Sequence, residues 1–353
     1  MPKLISQNYA KFEVNKLSKV LTLGELLLRY STTKGEQLSH AAALHLHYGG
    51  SEANVAIGLS GFGHDVTLVS KIPDNSFGQG SLHQLKRYGV NTDQIHFGEG
   101  RMGSYFVETG AGPRATSVVY DRKSSTFSLL ETNEWEYDRL FEDVSLFHVS
   151  GITPALSPFL AQLTIDFVKE AKKRGVLVSF DSNYRGKLWE LPEAAKVFAQ
   201  ILPDVDYCSM GALDAVNILG IEAANVELSE EEALAYYYQK MQEKYPNIEV
   251  FYSTRREVIS SDENYLTGTL WLNETYYTSK KYHIPYIVDR IGGGDAFSAG
   301  VLHGLLEGKD AQEIIDFATG NTVLKHTVAG DALSLTAKEV ELFVQSDSSK
   351  INR

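Results

Sequence analysis

Three consecutive glycines followed at once by an acid, Gly292-Gly293-Gly294-Asp295, form the stretch of this chain best suited to chemistry. Glycine leaves backbone N–H groups uncovered, and the apolar segment after Asp295 reads as a helix. The first amides of a helix lack intrahelical partners, and the helix dipole adds positive potential there, so this segment can hold an anion. A carboxylate inside such a hole has little use in a passive binder. It makes sense as a base that takes a proton from a hydroxyl attacking a phosphoryl group held alongside. The same residues also read as a tight turn in which Asp295 satisfies the first amides of the helix. The dinucleotide fingerprint would need glycine where Phe297 stands, and no Gly-Lys-Ser/Thr phosphate loop occurs in the chain.

Other polar clusters follow apolar, strand-like runs. Ligands collect at the carboxyl ends of parallel strands, which singles out Asp181-Ser182-Asn183-Tyr184-Arg185 after the run Val176–Phe180. Arg185 offers a planar fork to a carboxylate or phosphate, or else it pairs with Asp181 as scaffolding. Gly49-Gly50-Ser51-Glu52-Ala53-Asn54 opens a helix. Its glycines permit close approach of a ligand and Asn54 can bridge sugar hydroxyls; read plainly, it is a helix start capped by Ser51. Tyr105 can cover an apolar sugar face and bond a hydroxyl at once. His45 and His47 share a strand face, and with no third ligand in view a half-buried sheet suits them better than a metal. Lys325-His326-Thr327 ends a helix, where cations meet the negative end of the dipole, or it faces a nucleotide.

These residues need a scaffold, and the pattern supplies one. Short apolar runs (Val20–Leu23, Val66–Val69, Leu146–Val149, Val176–Phe180, Glu249–Tyr252) alternate with helical segments (51–60, 77–88, 158–174, 194–201, 230–245, 294–307, 311–326). Such alternation predicts an α/β fold: a doubly wound, mostly parallel sheet with helices on both faces. Residues 26–48 and 95–127 break the rhythm with short alternating runs and predict a small β-sheet lid, able to close over a substrate and exclude water. Residues 1–19 read as an N-terminal extension, 20–345 as the main domain and 346–353 as a polar tail.

The chain has 353 residues and a formal net charge of -12, which argues against nucleic acid and acidic membranes as partners. The single cysteine, Cys208, rules out an internal disulfide and a cysteine-based zinc site. No apolar run approaches a membrane span, so a cytoplasmic protein is expected.

From Asp289 to Asp295 the chain resembles the C-terminal signature of the ribokinase-type (PfkB) sugar kinases, an Asp, two variable residues, then Gly-Ala/Gly-Gly-Asp. Gly49, Gly50 and Asn54 resemble the family's N-terminal signature. Together the two cover a resemblance from about Val20 to Leu342. Gly24-Glu25, the run His148 to Ala155, Asp181 to Arg185 with Leu188-Trp189, and Lys325-His326-Thr327 with Gly330-Asp331 are similar to 2-keto-3-deoxygluconate kinases. The resemblance implies a ribokinase-like fold and ATP-dependent phosphorylation of that sugar acid at its C6 hydroxyl. In it Asp295 is the general base, the amides of Gly292, Gly293 and Gly294 form the anion hole, and Arg185 meets the substrate carboxylate. Gly49, Gly50, Asn54 and Tyr105 join the sugar site, while Ser253, Arg255, Gly292, Gly294, Asn321 and Lys325 fall on the nucleotide side. ATP and Mg²⁺ are the implied cofactors, with Asp214 and Asp289 as metal candidates and a monovalent cation as a further candidate near Asp289. A homodimer or higher homo-oligomer through the lid sheet is expected.

Three family features are replaced here. Gly211-Ala212-Leu213-Asp214 stands where many relatives carry Asn-x-x-Glu, and Ser253-Thr254-Arg255-Arg256-Glu257 stands for a glycine-rich turn, leaving Arg255 or Arg256 for phosphate. Phe106-Val107-Glu108 lacks the arginine some relatives place after the lid tyrosine, with Arg114 or Arg122 as substitutes. The rival readings are a kinase of a neutral sugar such as fructose or ribose, and a non-catalytic sugar or nucleotide sensor. A nicotinamide oxidoreductase is disfavoured by the late, incomplete glycine run.

Overall fold

The computed structural model describes residues 18–346, so most of the expected extension and polar tail lie outside the described residues. In chain order the elements begin with β1 (Lys19–Leu23), β2 (Leu27–Ser31), β3 (His45–Gly49), α1 (Ser51–Gly61), β4 (Asp65–Pro73), α2 (Ser76–Arg87) and β5 (Ile95–Gly98). There follow β6 (Gly103–Glu108), β7 (Ser117–Asp121), α3 (Tyr137–Leu140), β8 (Val144–Ser150), α4 (Pro158–Lys173), β9 (Leu177–Asp181) and α5 (Leu191–Ile201). The remainder is β10 (Tyr207–Ser209), α6 (Ala212–Asn217), α7 (Glu230–Lys244), β11 (Val250–Val258), β12 (Asn264–Leu272), β13 (Thr275–Thr278), β14 (Tyr282–Ile284), α8 (Gly293–Leu306), α9 (Ala311–Lys325) and α10 (Ala337–Gln345).

The main sheet runs β13-β12-β11-β10-β9-β8-β1-β4-β5, with β14 also beside β12. All pairs from β11 across to β5 are parallel. Its central strands are apolar on both faces because both faces are covered. Alternate residues divide between two cores: Leu21, Phe147 and Phe180 pack on one side with Phe167 of α4 and Phe198 of α5. Val20, Leu146 and Val66 pack on the other with Ile57 of α1, Val301 of α8 and Ile314 of α9. Helix starts carry their own caps. Ser157 accepts from the Leu160 amide at 3.2 Å ahead of Pro158, and Asp310 with Glu313 forms a capping box on α9.

The small sheet has the order β3-β2-β6-β7, with β2 and β6 parallel and the other pairs antiparallel. Its Leu27, Tyr105 and Val107 rest with Val118 on Ile291, so the lid touches the glycine turn directly. Two expectations change. Ile95–Gly98 is the edge strand of the main sheet, paired with β4, and not part of the lid. The run at Glu249–Tyr252 continues to Val258 and turns back as the antiparallel β12, which the βαβ rhythm concealed. Among the described residues no helix is long and apolar enough to cross a membrane.

Candidate active site

Two helix N-termini converge at the carboxyl ends of the parallel strands. Gly292 precedes α8 with φ at 81°, and a Cβ there would collide with the carbonyl oxygen of Asp331, so both conformation and space demand glycine. Gly50 precedes α1 with φ at 149°, and a Cβ would strike the Glu25 carbonyl. Asp295 lies in the first turn of α8 and is 9% exposed. Ser51 Oγ donates to its Oδ1 at 2.8 Å and Asn54 Nδ2 to its Oδ2 at 2.7 Å. Asn183, just past β9, donates in turn to Ser51 Oγ at 3.0 Å. Ser51 was expected to cap α1; its hydroxyl instead serves the carboxylate, and no side chain caps that helix.

Burial pushes the Asp295 carboxyl up from its ordinary value, opposed by the bonds from Asn54 and Ser51 and by the charge of Arg185. Burial and the neighbouring Asp295 push Asp181, at the end of β9, up to about 7. The Gly293 amide turns back to the Arg290 carbonyl at 3.3 Å, and the Ala296 amide reaches the Gly292 carbonyl at 2.9 Å. Gly294 is exposed, and a Cβ placed on it would meet no described atom within 4 Å. Open space therefore lies over the start of α8, beside Asp295.

Arg185 is exposed and makes no ion pair among the described residues, although its charge reaches Asp181 and Asp295. Arg256 is also exposed. Crowding by protein, with the charges of Arg290 and Arg185, holds its guanidinium below its ordinary value. Like charges gathered this way repel one another and gain from an anion placed among them. Arg255 departs from its expected phosphate role: it pairs with Glu230 and Glu231 at the start of α7. Among the described residues Arg256 is the unpaired member of the two.

Other expected residues are held by protein groups. Both metal candidates are engaged. Asp289 receives Arg29 at 2.7 Å and the amides of Ile291 and Gly330 at 3.1 Å each, while Asp214 accepts from the Gly211 amide at 2.9 Å and from Ser182. Arg29 also pairs with Asp331 at 2.7 Å, and Tyr105 donates its hydroxyl to the same Asp331. Tyr105 thus braces Asp331 rather than presenting its hydroxyl to the cleft. Gly49 packs against the Asp331 carboxylate, leaving no room for a Cβ. Asn321, 1% exposed, donates to the Ala296 carbonyl at 2.8 Å, and Lys325, 0% exposed, points at the Val328 carbonyl at 3.4 Å. Both were expected at the nucleotide; Asn321 instead holds the first turn of α8, and Lys325 reaches the chain just past the end of its own helix. The Ser253 hydroxyl is shared with Tyr238 and Thr269 at 2.7 and 3.0 Å. Arg122 pairs with Glu25, and Arg114 lies 3.8 Å from Glu108, so neither substitutes as a free cation beside the lid tyrosine.

Sequence reasoning missed the network joining Arg29, Asp289 and Asp331. Its one local signal was an arginine inside the otherwise buried strand Leu27–Ser31. It also missed Asn183 as a support for Ser51, since that contact spans 132 positions of sequence.

Residues 17–337 match the family described as pfkB family carbohydrate kinase. The chain belongs to that family. A curated relative from Haloferax volcanii, 2-dehydro-3-deoxygalactonokinase, is 30% identical over 336 residues, covering 95% of this chain and 99% of the relative. The crystal structure of a PfkB family carbohydrate kinase from Listeria grayi superposes with a TM-score of 0.89 at 42% identity, covering 93% of this kinase and 100% of that chain. That of 2-dehydro-3-deoxygluconokinase from Thermotoga maritima gives 0.89 at 36% identity, with the same coverage. This kinase therefore has the ribokinase-like architecture that the resemblance implied, and two of these relatives are sugar-acid kinases by name.

Proposed function

We propose that this kinase transfers the γ-phosphoryl group of ATP to the C6 hydroxyl of 2-keto-3-deoxygluconate, giving 2-keto-3-deoxy-6-phosphogluconate. The observation that carries the reading is the Asp295 carboxylate, clamped by Ser51 and Asn54 beside the open start of α8, with the unpaired charge of Arg185 within reach. Asp295 accepts the C6 proton as the hydroxyl attacks; its raised proton affinity suits a base that must take a proton near neutral pH. The Gly292–Gly294 turn and the dipole of α8 stabilise charge on the transferred group. Gly49, Gly50 and Asn54 line the sugar side, and Arg256 is the cation nearest in kind to a phosphate partner on the nucleotide side.

Arg185 explains the preference for an acid, because a neutral sugar offers nothing to pair with an isolated guanidinium. The names of the relatives, a galactonate and a gluconate kinase, support the same class. Bound with the nucleotide, Mg²⁺ supplies charge neutralisation at the phosphates. Asp214 and Asp289 are already satisfied by protein donors, so they do not fit a protein-held ion, and no step is assigned to one.

A coupled assay of ADP release tests the reading across 2-keto-3-deoxygluconate, its galactonate epimer, fructose and ribose. Turnover on the keto-deoxy acids, fastest on the gluconate form, is expected. Faster turnover on a neutral sugar overturns the substrate class, and none on any sugar overturns the kinase chemistry.

A further inference from the structure

The far end of α8 carries a second cluster that the reaction does not use. His303 lies in the last turn of α8, and Glu307 follows one turn later as the residue that ends it. His64 comes from the turn between α1 and β4. His64 Nε2 and His303 Nδ1 face each other at 2.9 Å, and one ligand atom from each of the three residues lies within 4.8 Å of the others. Eight residues separate Asp295 from His303, about 12 Å along a helix, so this is a different place from the proposed catalytic centre.

Three features go beyond a simple pair of bonded rings. The two imidazoles are 5% and 6% exposed, yet Nδ1 of His64 has no partner among the described residues. Phe62 and Phe317 enclose His303, with ring centroids at 4.9 and 5.0 Å, and so limit how its ring can turn. Glu307 is exposed, which leaves the cluster open to solvent on one side. The carbonyl end of a helix also favours positive charge.

We propose that His64, His303 and Glu307 form a binding site for a divalent ion of the zinc class. Two imidazoles and one carboxylate select Zn²⁺, Co²⁺ or Ni²⁺ over Mg²⁺, which prefers oxygen ligands. Two nitrogens on one tetrahedral zinc stand about 3.3 Å apart, so the rings must part slightly and tilt until both lone pairs meet one ion, which replaces the hydrogen bond between them. The fourth position falls to water from the open side. The ion ties the turn before β4 to the end of α8, and the inference does not rest on the identity of the sugar.

The test uses the full chain, freed of metal by chelation and dialysis. Co²⁺ titration is expected to give the visible bands of a tetrahedral N/O site at one ion per chain, displaced by Zn²⁺. Glu307→Gln, at an exposed position, is expected to weaken Zn²⁺ at least tenfold while the metal-free melting temperature stays unchanged. His64→Gln is expected to abolish the Co²⁺ bands, and His47→Gln, in the other histidine pair, to leave them intact. Absence of stoichiometric binding by the wild-type chain overturns the proposal. Binding that survives both Glu307→Gln and His64→Gln, or that disappears with His47→Gln, overturns it equally.

Discussion

Asp295 and Arg185 lie within electrostatic reach of each other, yet the fold holds them in opposite ways. Asp295 is buried, with a donor from α1 on each oxygen and a further amide from the end of β9 behind one of those donors. Arg185 stands exposed on a loop, with no ion pair among the described residues. In the proposed reaction the first arrangement fixes a carboxylate where the proton is taken, so no reorganisation is needed. The second leaves a cation whose proposed partner is the carboxylate of the substrate. On the proposed reading, chemistry is preorganised and recognition of charge is held in reserve.

If that contrast is right, damage to the fixed side costs turnover and damage to the free side costs binding. The largest effect is expected from Gly292→Ala. Its Cβ would meet the Asp331 carbonyl at a positive φ, displacing the start of α8 and the amides that precede Asp295. A fall in kcat of about 10²–10³-fold is expected, the scale for losing an oxyanion donor, with circular dichroism showing the chain still folded. An unchanged kcat would mean the turn is only a connector.

Arg185→Ala probes the other side. KM for the keto-deoxy acid is expected to rise about 10- to 100-fold, as for loss of a charge-assisted hydrogen bond, with kcat within a few fold and KM for ATP unmoved. An equal rise for a neutral sugar would remove the carboxylate role.

The smallest effect concerns Asp181, which lies close enough to Asp295 to feel its charge. Its value of about 7 stands above the ordinary 3.8, so its protonated form stabilises the fold fully below that lower value, and this stability is lost as pH rises through about 7. Asp181→Asn is therefore expected to gain melting temperature on the wild type across that window, by a few degrees. Any step that the wild-type kcat/KM profile shows through about pH 7 should also be absent from the variant, because Asp181 is the group that titrates there beside a charged Asp295. Identical profiles would separate the two carboxylates.

The same contrast explains what the sequence alone made legible. Gly50, Gly292 and Asp295 stand out because glycine at a positive φ and an acid at a helix start are local facts of chain geometry. The parallel sheet was readable because its strands are apolar on both faces. The supports were not. Arg29 reaches Asp331 across 302 positions, and Ser51 reaches Asp295 across 244. Asn321 and Lys325 looked like ligand groups, being polar residues near a helix end, but packing of α9 on α8 turned them inward. Arg255 and Arg256 are adjacent in sequence and alternate sides in β11, so only the register with β12 decides which one meets α7.

Asp295→Asn tests the central claim most directly, because it keeps the shape of the side chain and removes its capacity to take a proton. Calorimetric titration of the variant with ATP and with 2-keto-3-deoxygluconate, beside single-turnover transfer from labelled ATP, separates binding from chemistry. Both affinities are expected to stay within a few fold of the wild type while transfer slows by about 10²–10⁴-fold, the range for loss of a general base. Transfer at the wild-type rate would contradict the account and leave Asp295 as a structural acid.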